Sequence, residues 1–286
     1  MLPKTRSMML AVALAVTAGP ALAAECPGNP KALGVSRTVE IDTKGGPGFG
    51  MEHYRAYDFL QDKEVLLTFD DGPQVHSTHA ILKALASHCA KATFFSIGKM
   101  AVGLPEILRD VVKGGHTIGT HTWSHKDLSK MTVDQARDEI ERGASGVSRA
   151  AGTPISTFFR YPFLRDSKDT LAHFATRNVA VFSTDIDSFD FKMQAPDKLV
   201  AAVMKKLDKR GKGILLMHDI QPTTAKAMPG LLDALAQAGY KIVHMRAKDT
   251  LKTLAEYDAA IEKDVKGLPS AGAERPVSSV VKTVDK

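Results

Sequence analysis

Several residue types and patterns are scarce in this chain. Only two cysteines occur in 286 residues, so at most one disulfide can form. Tryptophan occurs once, and aromatic residues make up 6%. No block of Arg and Lys interleaved with aromatics is present, which removes the usual footprint of a nucleic-acid binder. A formal charge of +6 is too weak to restore that reading. Beyond the first residues, no apolar run reaches the roughly 20 that a bilayer span needs, which excludes a multi-span membrane protein. No stretch repeats another, so a solenoid is excluded. What remains is 44% hydrophobic and 24% charged, the balance of a soluble globular chain. The length fits one large domain or two small ones.

Residues 1–24 read as a secretory signal. Lys4 and Arg6 give the positive start, Met8 to Thr17 the short apolar stretch, and Gly19-Pro20 a helix break. Ala21-Leu22-Ala23 supplies the small-x-small cleavage pattern, with the cut after Ala23 or Ala24. The expectation is an exported protein, periplasmic or secreted, touching a membrane only through an uncleaved signal. Removing those residues takes away two basic groups and no acidic one, so +6 becomes +4. Cys26 and Cys89 then meet an oxidising compartment. Sequence leaves open whether they pair, because the Cα separation decides it.

Residues 25–61, with Pro27, Pro30 and Gly45-Gly46-Pro47-Gly48, read as an N-terminal extension. From Lys63 onward, short β-branched runs alternate with helical patterns. Strands are expected over 64–69, 92–97, 117–120, 156–160, 179–183, 213–217 and 241–244. Helices are expected over 76–88, 104–112, 133–150, 196–209 and 223–238. About seven such units imply an α/β fold with a parallel sheet, more readily a barrel than an open sheet, carrying its chemistry where the strands end. The domain is set at 62–256, and 257–286 is expected to be a flexible C-terminal tail.

Four clusters follow strands. Thr68-Phe69-Asp70-Asp71-Gly72-Pro73 closes the first with two carboxylates, whose mutual repulsion a divalent cation would relieve. His121-Thr122-Trp123-Ser124-His125 places two imidazoles four residues apart, a spacing that suits one zinc if the segment turns helically. It is not the His-Glu-x-x-His of metalloproteases, because residue 122 is Thr, so a base must come from elsewhere. Phe159-Arg160-Tyr161-Pro162-Phe163 could set a guanidinium beside a carboxylate. Ile214 to Asp219 (ILLMHD) ends in a His able to donate a proton near neutral pH. Upstream, the carboxylates of residues 185–191 (DIDSFDF) could orient that His. The bland alternative for this cluster is a helix-capping Asp219 beside an incidental His218. Ligands, base, acid and orienting Arg together make the parts of metal-assisted hydrolysis.

The order and separation of these motifs resemble the polysaccharide deacetylase family, also called NodB-homology or carbohydrate esterase 4, over roughly residues 60–250. The resemblance implies a distorted (β/α) barrel of about seven parallel strands. It implies that Asp71, His121 and His125 hold a divalent metal. Two His and one carboxylate suit Zn2+, with Co2+ or Ni2+ also fitting. It implies that Asp70 is the general base and that Arg160 orients it. His218 is then the general acid, supported by Asp190, with Asp187 as the rival. Pro162 and Phe163 match the motif whose backbone N–H helps form an oxyanion site. Leu216 matches the lining of the acetyl-methyl pocket, and Phe191 stands in the substrate groove. Two departures touch that groove: Leu164 stands where the family motif ends in Gly, and Phe191 where it has Trp.

The implied activity is removal of N-acetyl groups from an N-acetylglucosamine-containing glycan such as chitooligosaccharide, peptidoglycan or poly-N-acetylglucosamine. The expected partner is that glycan, and the expected state is a monomer. Rival readings are an O-acetyl polysaccharide esterase, a glycan-binding protein with an inactive site, and an amidase acting on a small cyclic amide. The inactive-site reading requires a lost base, acid or ligand, and the sequence retains all of them.

Overall fold

The computed structural model describes residues 26–266. Residues 1–25, where the signal segment is expected, and residues 267–286 lie outside them. In chain order the strands are β1 (Arg37–Ile41), β2 (Gly48–Phe49), β3 (Glu64–Asp70), β4 (Thr93–Ser96), β5 (Thr117–Thr120), β6 (Phe158–Phe159), β7 (Ala180–Phe182), β8 (Ile186–Asp187), β9 (Gly213–His218) and β10 (Lys241–Ala247). The helices are α1 (Val75–Ser87), α2 (Gly98–Gly103), α3 (Pro105–Lys113), α4 (Val133–Ala151), α5 (Lys168–Arg177), α6 (Pro196–Arg210), α7 (Pro222–Gln237) and α8 (Ala255–Lys266).

Seven strands form the staves in the order β8, β9, β3, β4, β5, β6, β7, each pair parallel. No pairing joins β7 to β8 among the described residues, so the barrel is split there, as a distorted barrel should be. The expected count holds, but one member differs. The strand expected over 241–244 is β10, which pairs with only Glu64 and Val65 of β3. It then crosses the end where the strands begin, where Thr117 Oγ1 donates to Met245 O. The seventh stave is β8, two residues long and hidden in a carboxylate-rich run.

The two-residue period of strands decides what faces in. Val65, Leu67 and Phe69 of β3 and Leu215 and Met217 of β9 join the outer core under the helices. Leu66, Phe95, Phe158, Phe182 and Ile214 fill the barrel interior, with Val243 and Met245 of β10 closing it below. Residues two and four positions on from the inward ones, near the strand ends, therefore face the upper mouth. These are Asp70, Arg160, Leu216 and His218.

Residues 25–61 are no appendage in the part described. β1 pairs with β10 along its whole length, β2 pairs with β7, and Ile41, Phe49 and Leu60 sit in the interior cluster. Cys26 and Cys89 are bridged, with Cα atoms 5.7 Å apart, tying the start of the described chain to the end of α1. The boundary placed at 256/257 cuts α8. This helix docks on α4, buries Ile261 completely, and pairs Glu262 and Asp264 with Arg149 and Arg142. Its packed apolar face is why residues 257–266 are helix rather than tail.

Two histidines lie beneath the barrel, His244 buried and His116 half-buried. Burial, followed by the charges of Lys91 and His244, pushes His116 down to about 3. Burial, with Arg246 and Lys91, pushes His244 to about 4. In the folded chain both stay neutral, whereas in the unfolded chain both take up protons below about 6.5. Their contribution to stability is full above that pH and is lost as pH falls toward 4, at no more than about 1.4 kcal/mol per pH unit for each. Denaturant midpoints should therefore drop between pH 7 and 5, and His244→Gln should flatten the slope. An unchanged slope in that variant would remove His244 from the account.

Candidate active site

The site occupies the mouth where the strands end, in a cavity of about 550 Å³ lined by Asp70, Asp71, His121, His125, Leu216 and His218, with Phe163 and Phe191 at the edge.

Asp70 and Asp71 are adjacent, so an extended strand would point them oppositely. Asp71 instead has φ 80, and this left-handed residue turns its carboxylate back into the mouth. The turn therefore begins at Asp71 itself, one residue before Gly72-Pro73. Gly72 is pinned from behind: its N–H donates to Asp219 Oδ1 at 2.9 Å, and Thr78 Oγ1 donates to Asp219 Oδ2 at 2.6 Å. A Cβ on Gly72 would lie 2.0 Å from that carboxylate. Asp219 is thus a brace for the two-carboxylate turn and not a helix cap; the N-cap position of α7 is Gln221, which makes no side-chain cap bond. Burial first, then the charge of Asp71, raises Asp219 to about 7. Sequence reasoning missed this role, although its position directly after His218 was the available signal.

The segment 121–125 is not helical. Thr122 (φ 66) and His125 (φ 59) are both left-handed, and Thr122 Oγ1 accepts the His125 N–H at 3.0 Å. The two imidazoles still meet, with ring centroids 5.0 Å apart. Glu139 of α4 grips the turn, accepting from Ser124 N–H at 2.9 Å and Ser124 Oγ at 2.7 Å. Trp123, the chain's one tryptophan, anchors the same turn against Gly98 and Gly146. Gly143 allows α4 to touch the turn, since a Cβ there would sit 2.5 Å from the Thr122 carbonyl carbon. Gly143→Ala should improve helix propensity by about 1 kcal/mol yet push the turn outward. The expected outcome is a loss of metal affinity of about 10- to 100-fold, the usual effect of disturbing ligand supports, measured by competition with a chromophoric chelator. Unaltered affinity would show that the turn yields without cost.

Asp71 Oδ1 lies 3.4 Å from His121 Nε2 and 3.3 Å from His125 Nε2. Ligand bonds of about 2.0–2.2 Å in a tetrahedral site put neighbouring donors about 3.4 Å apart, so the spacing fits one cation. Asp71 Oδ1 is buried and has no hydrogen-bond partner. Such an orphaned oxygen is costly unless something positive faces it. His121 Nδ1 donates to Arg160 O at 2.7 Å, which fixes the tautomer and leaves Nε2 as the bare donor atom. Burial opposes ionisation of Asp71, but the imidazoles that face it, His121 first and then His218 and His125, outweigh burial and hold Asp71 at about 2. Burial, with His121, lowers His125 and keeps its lone pair available.

Arg160 is fully buried and serves both halves of the site. Its guanidinium donates to Asp70 Oδ1 at 2.8 Å, Thr68 Oγ1 at 2.8 Å and Ser183 O at 2.9 Å, and lies 4.4 Å from the centroid of the Phe95 ring. Its backbone carbonyl orients His121. Across the cavity, His218 Nδ1 donates to Asp190 Oδ1 at 2.7 Å. Asp190 is completely buried and also accepts from His218 N–H, Phe191 N–H and Thr224 Oγ1. Asp187, the rival partner, makes no hydrogen bond or ion pair with His218 and accepts from Phe189 N–H instead. Burial lowers His218, but the bond and charge of Asp190, together with Asp70 and Asp71, raise it to about 9.

The rim carries exposed aromatics. Phe163 is 58% exposed with its ring edge-on to His125, and Phe191 is 50% exposed and edge-on to His218. Leu216 forms part of the floor, whereas Pro162 is buried and does not line the cavity. Phe163 (φ 60) and Leu164 (φ 56) are both left-handed. Leu164 keeps a conformation that costs a side-chain-bearing residue about 1–2 kcal/mol, which accounts for the family motif's glycine at this place.

The sequence model described as polysaccharide deacetylase matches residues 59–180. A chitooligosaccharide deacetylase of Bradyrhizobium sp. is 30% identical over 194 residues, spanning 63% of this chain and 88% of the relative. A peptidoglycan-N-acetylglucosamine deacetylase of Bacillus cereus is 33% identical over 202 residues, spanning 69% and 71%. Among solved structures, a peptidoglycan deacetylase of Bdellovibrio bacteriovorus superposes with a TM-score of 0.70 at 35% identity, covering 78% of this chain and 61% of that one. With its barrel, its motif order and these relatives together, the chain belongs to the polysaccharide deacetylase family.

Proposed function

We propose that this protein is a divalent-metal-dependent hydrolase that removes N-acetyl groups from an N-acetylglucosamine-containing glycan outside the cytoplasm. The observation that carries the reading is the unpartnered, buried Asp71 Oδ1 set 3.3–3.4 Å from two imidazole nitrogens. A family member that only binds glycan has no use for so costly an arrangement.

Asp71, His121 and His125 would hold the ion; zinc suits this donor set best, and cobalt or nickel also fit. When bound, the ion supplies Lewis acidity, acidifying a water and polarising the acetamide oxygen. Asp70, fixed by Arg160, takes a proton from the attacking water. The Phe163 backbone N–H stabilises charge on the carbonyl oxygen, a kind of contact whose loss costs about 100- to 1,000-fold in rate. His218, cationic near neutral pH through Asp190, protonates the departing nitrogen. An amide nitrogen leaves poorly until protonated, so a dedicated, well-supported acid favours N- over O-deacetylation. Leu216 faces the acetyl methyl. Phe163 and Phe191 offer sugar faces on a solvent-exposed rim, which suits a polymer lying across the mouth better than a small cyclic amide.

Acetate release from chitooligosaccharide, peptidoglycan, poly-N-acetylglucosamine and acetylated xylan tests this. Release should occur from N-acetylated glycans, stop with chelator and return with zinc. Release from xylan alone would make the protein an esterase. Metal binding without release from any of the four would make it a binding protein.

A further inference from the structure

Trp123 stands in the turn between the two histidines that face Asp71, and only 9% of it is exposed. Its ring fills a slot whose walls come from three helices. α2 gives Gly98 and Val102, and a Cβ on Gly98 would lie 2.6 Å from the ring. α4 gives Gly146, where a Cβ would lie 2.9 Å from it. The third wall is α8, whose fully buried Ile261 belongs to one apolar cluster with Trp123 and Val102. Val265, one turn further on, packs against the same cluster.

A polar contact joins α8 to the same ring. Arg142 Cζ lies 5.2 Å from the Trp123 ring centroid, and Arg142 Nη2 donates to Asp264 Oδ2 at 2.5 Å. Arg142 Nε is buried and makes no hydrogen bond. The remainder of the seam between α4 and α8 is not close-packed. A cavity of about 240 Å³ opens there beside Ser145, Ser148 and Thr253, and Ser145 Oγ is buried without a partner. α8 is therefore fastened by Ile261 and by the pairs Arg142–Asp264 and Arg149–Glu262.

The two histidines depend on the turn unequally. His121 continues β5, with its N–H on Ser96 O at 2.9 Å and its Nδ1 on Arg160 O. The His125 N–H is bonded only within the turn, to Thr122 Oγ1, and no second hydrogen bond orients its ring among the described residues. We propose that α8 is a latch on this turn: Ile261 and Asp264 are positioning residues that set the site's affinity for a divalent cation by way of Trp123 and His125. This rests on the reading of Asp71, His121 and His125 as the cation's ligands. An unlatched imidazole gives up more freedom when it ligates, so loosening α8 costs affinity.

Two measurements test the latch: zinc affinity by competition with a chromophoric chelator, and acrylamide quenching of the emission of Trp123, the chain's one tryptophan. Ile261→Ala should weaken zinc about 10- to 100-fold, the usual effect of disturbing a ligand's support, and should open Trp123 to acrylamide. Ile261→Val should restore most of both. Asp264→Asn keeps the apolar packing of α8 and should weaken zinc about 2- to 5-fold, the weight of a partly exposed ion pair. In a His125→Ala background, Ile261→Ala should weaken zinc no further, a result that general loss of stability would not give. Zinc affinity unchanged in Ile261→Ala and Asp264→Asn, or a full further loss in the His125→Ala background, would overturn the latch. Should Ile261→Ala fail to fold, Asp264→Asn decides alone. A wild type that binds no zinc would sink the ligand reading, and acrylamide quenching would then decide whether α8 holds the turn.

Discussion

Asp70→Asn is expected to lower kcat by about 100- to 10,000-fold, the range spanned by general acid–base catalysis, while the protein retains its full complement of metal. The two outcomes separate because the adjacent carboxylates are held by different partners. Asp71 faces the histidines, whereas Asp70 faces Arg160 at 2.8 Å. Asn keeps the shape of the side chain and removes its ability to take a proton. It also leaves Arg160 buried without its carboxylate, and breaking a buried pair costs about 3–5 kcal/mol in the worst case. Here Thr68 Oγ1 and the Ser183 carbonyl still accept from the guanidinium, so a smaller loss is expected. Metal content by elemental analysis, kcat on the preferred oligomer and a thermal melt together check the point. Full activity would remove Asp70 from the role of base. Loss of metal along with activity would mean that the two carboxylates share the ion.

Much of this arrangement was legible in the residues, and the illegible parts have physical causes. Strand parity alone puts Asp70, Leu216 and His218 on one side of their strands, and the runs that carry them are apolar enough to be read as strands. Asp71 cannot be placed by parity, because its inward position depends on a left-handed φ at a residue that is neither Gly nor Asn. The His121–His125 pair was found for a partly wrong reason: the spacing is right, but two left-handed residues, not a helical turn, bring the rings together. β8 and β2, two residues each, are too short to show a period and exist only because longer strands pair with them. Asp190 and Asp187 are equivalent as letters in DIDSFDF. Burial and the contact with His218 distinguish them, and both are tertiary properties. Arg160 could be guessed as a partner of Asp70, but nothing in the sequence announces that its backbone carbonyl also orients His121.

That double role bears on the other large effect. His121→Ala should abolish stoichiometric metal binding and with it nearly all turnover, to the level of the metal-stripped wild type. His121 is 2% exposed and its Nδ1 is committed to Arg160 O, so its Nε2 is the most firmly aimed of the three donors. His125 is partly exposed and sits on a turn supported by Glu139, so His125→Ala should weaken the metal and leave some activity recoverable at high zinc. The asymmetry follows from preorganisation, since a donor locked by a second hydrogen bond gives up less freedom when it ligates. Metal content after dialysis, and activity titrated against added zinc, should rank the variants with wild type first, His125→Ala next and His121→Ala last. Equal losses in the two would mean that the carbonyl of Arg160 contributes nothing to holding the ion. A His121→Ala protein that kept both metal and turnover would show that the Asp71–His121–His125 cluster is not where the metal binds.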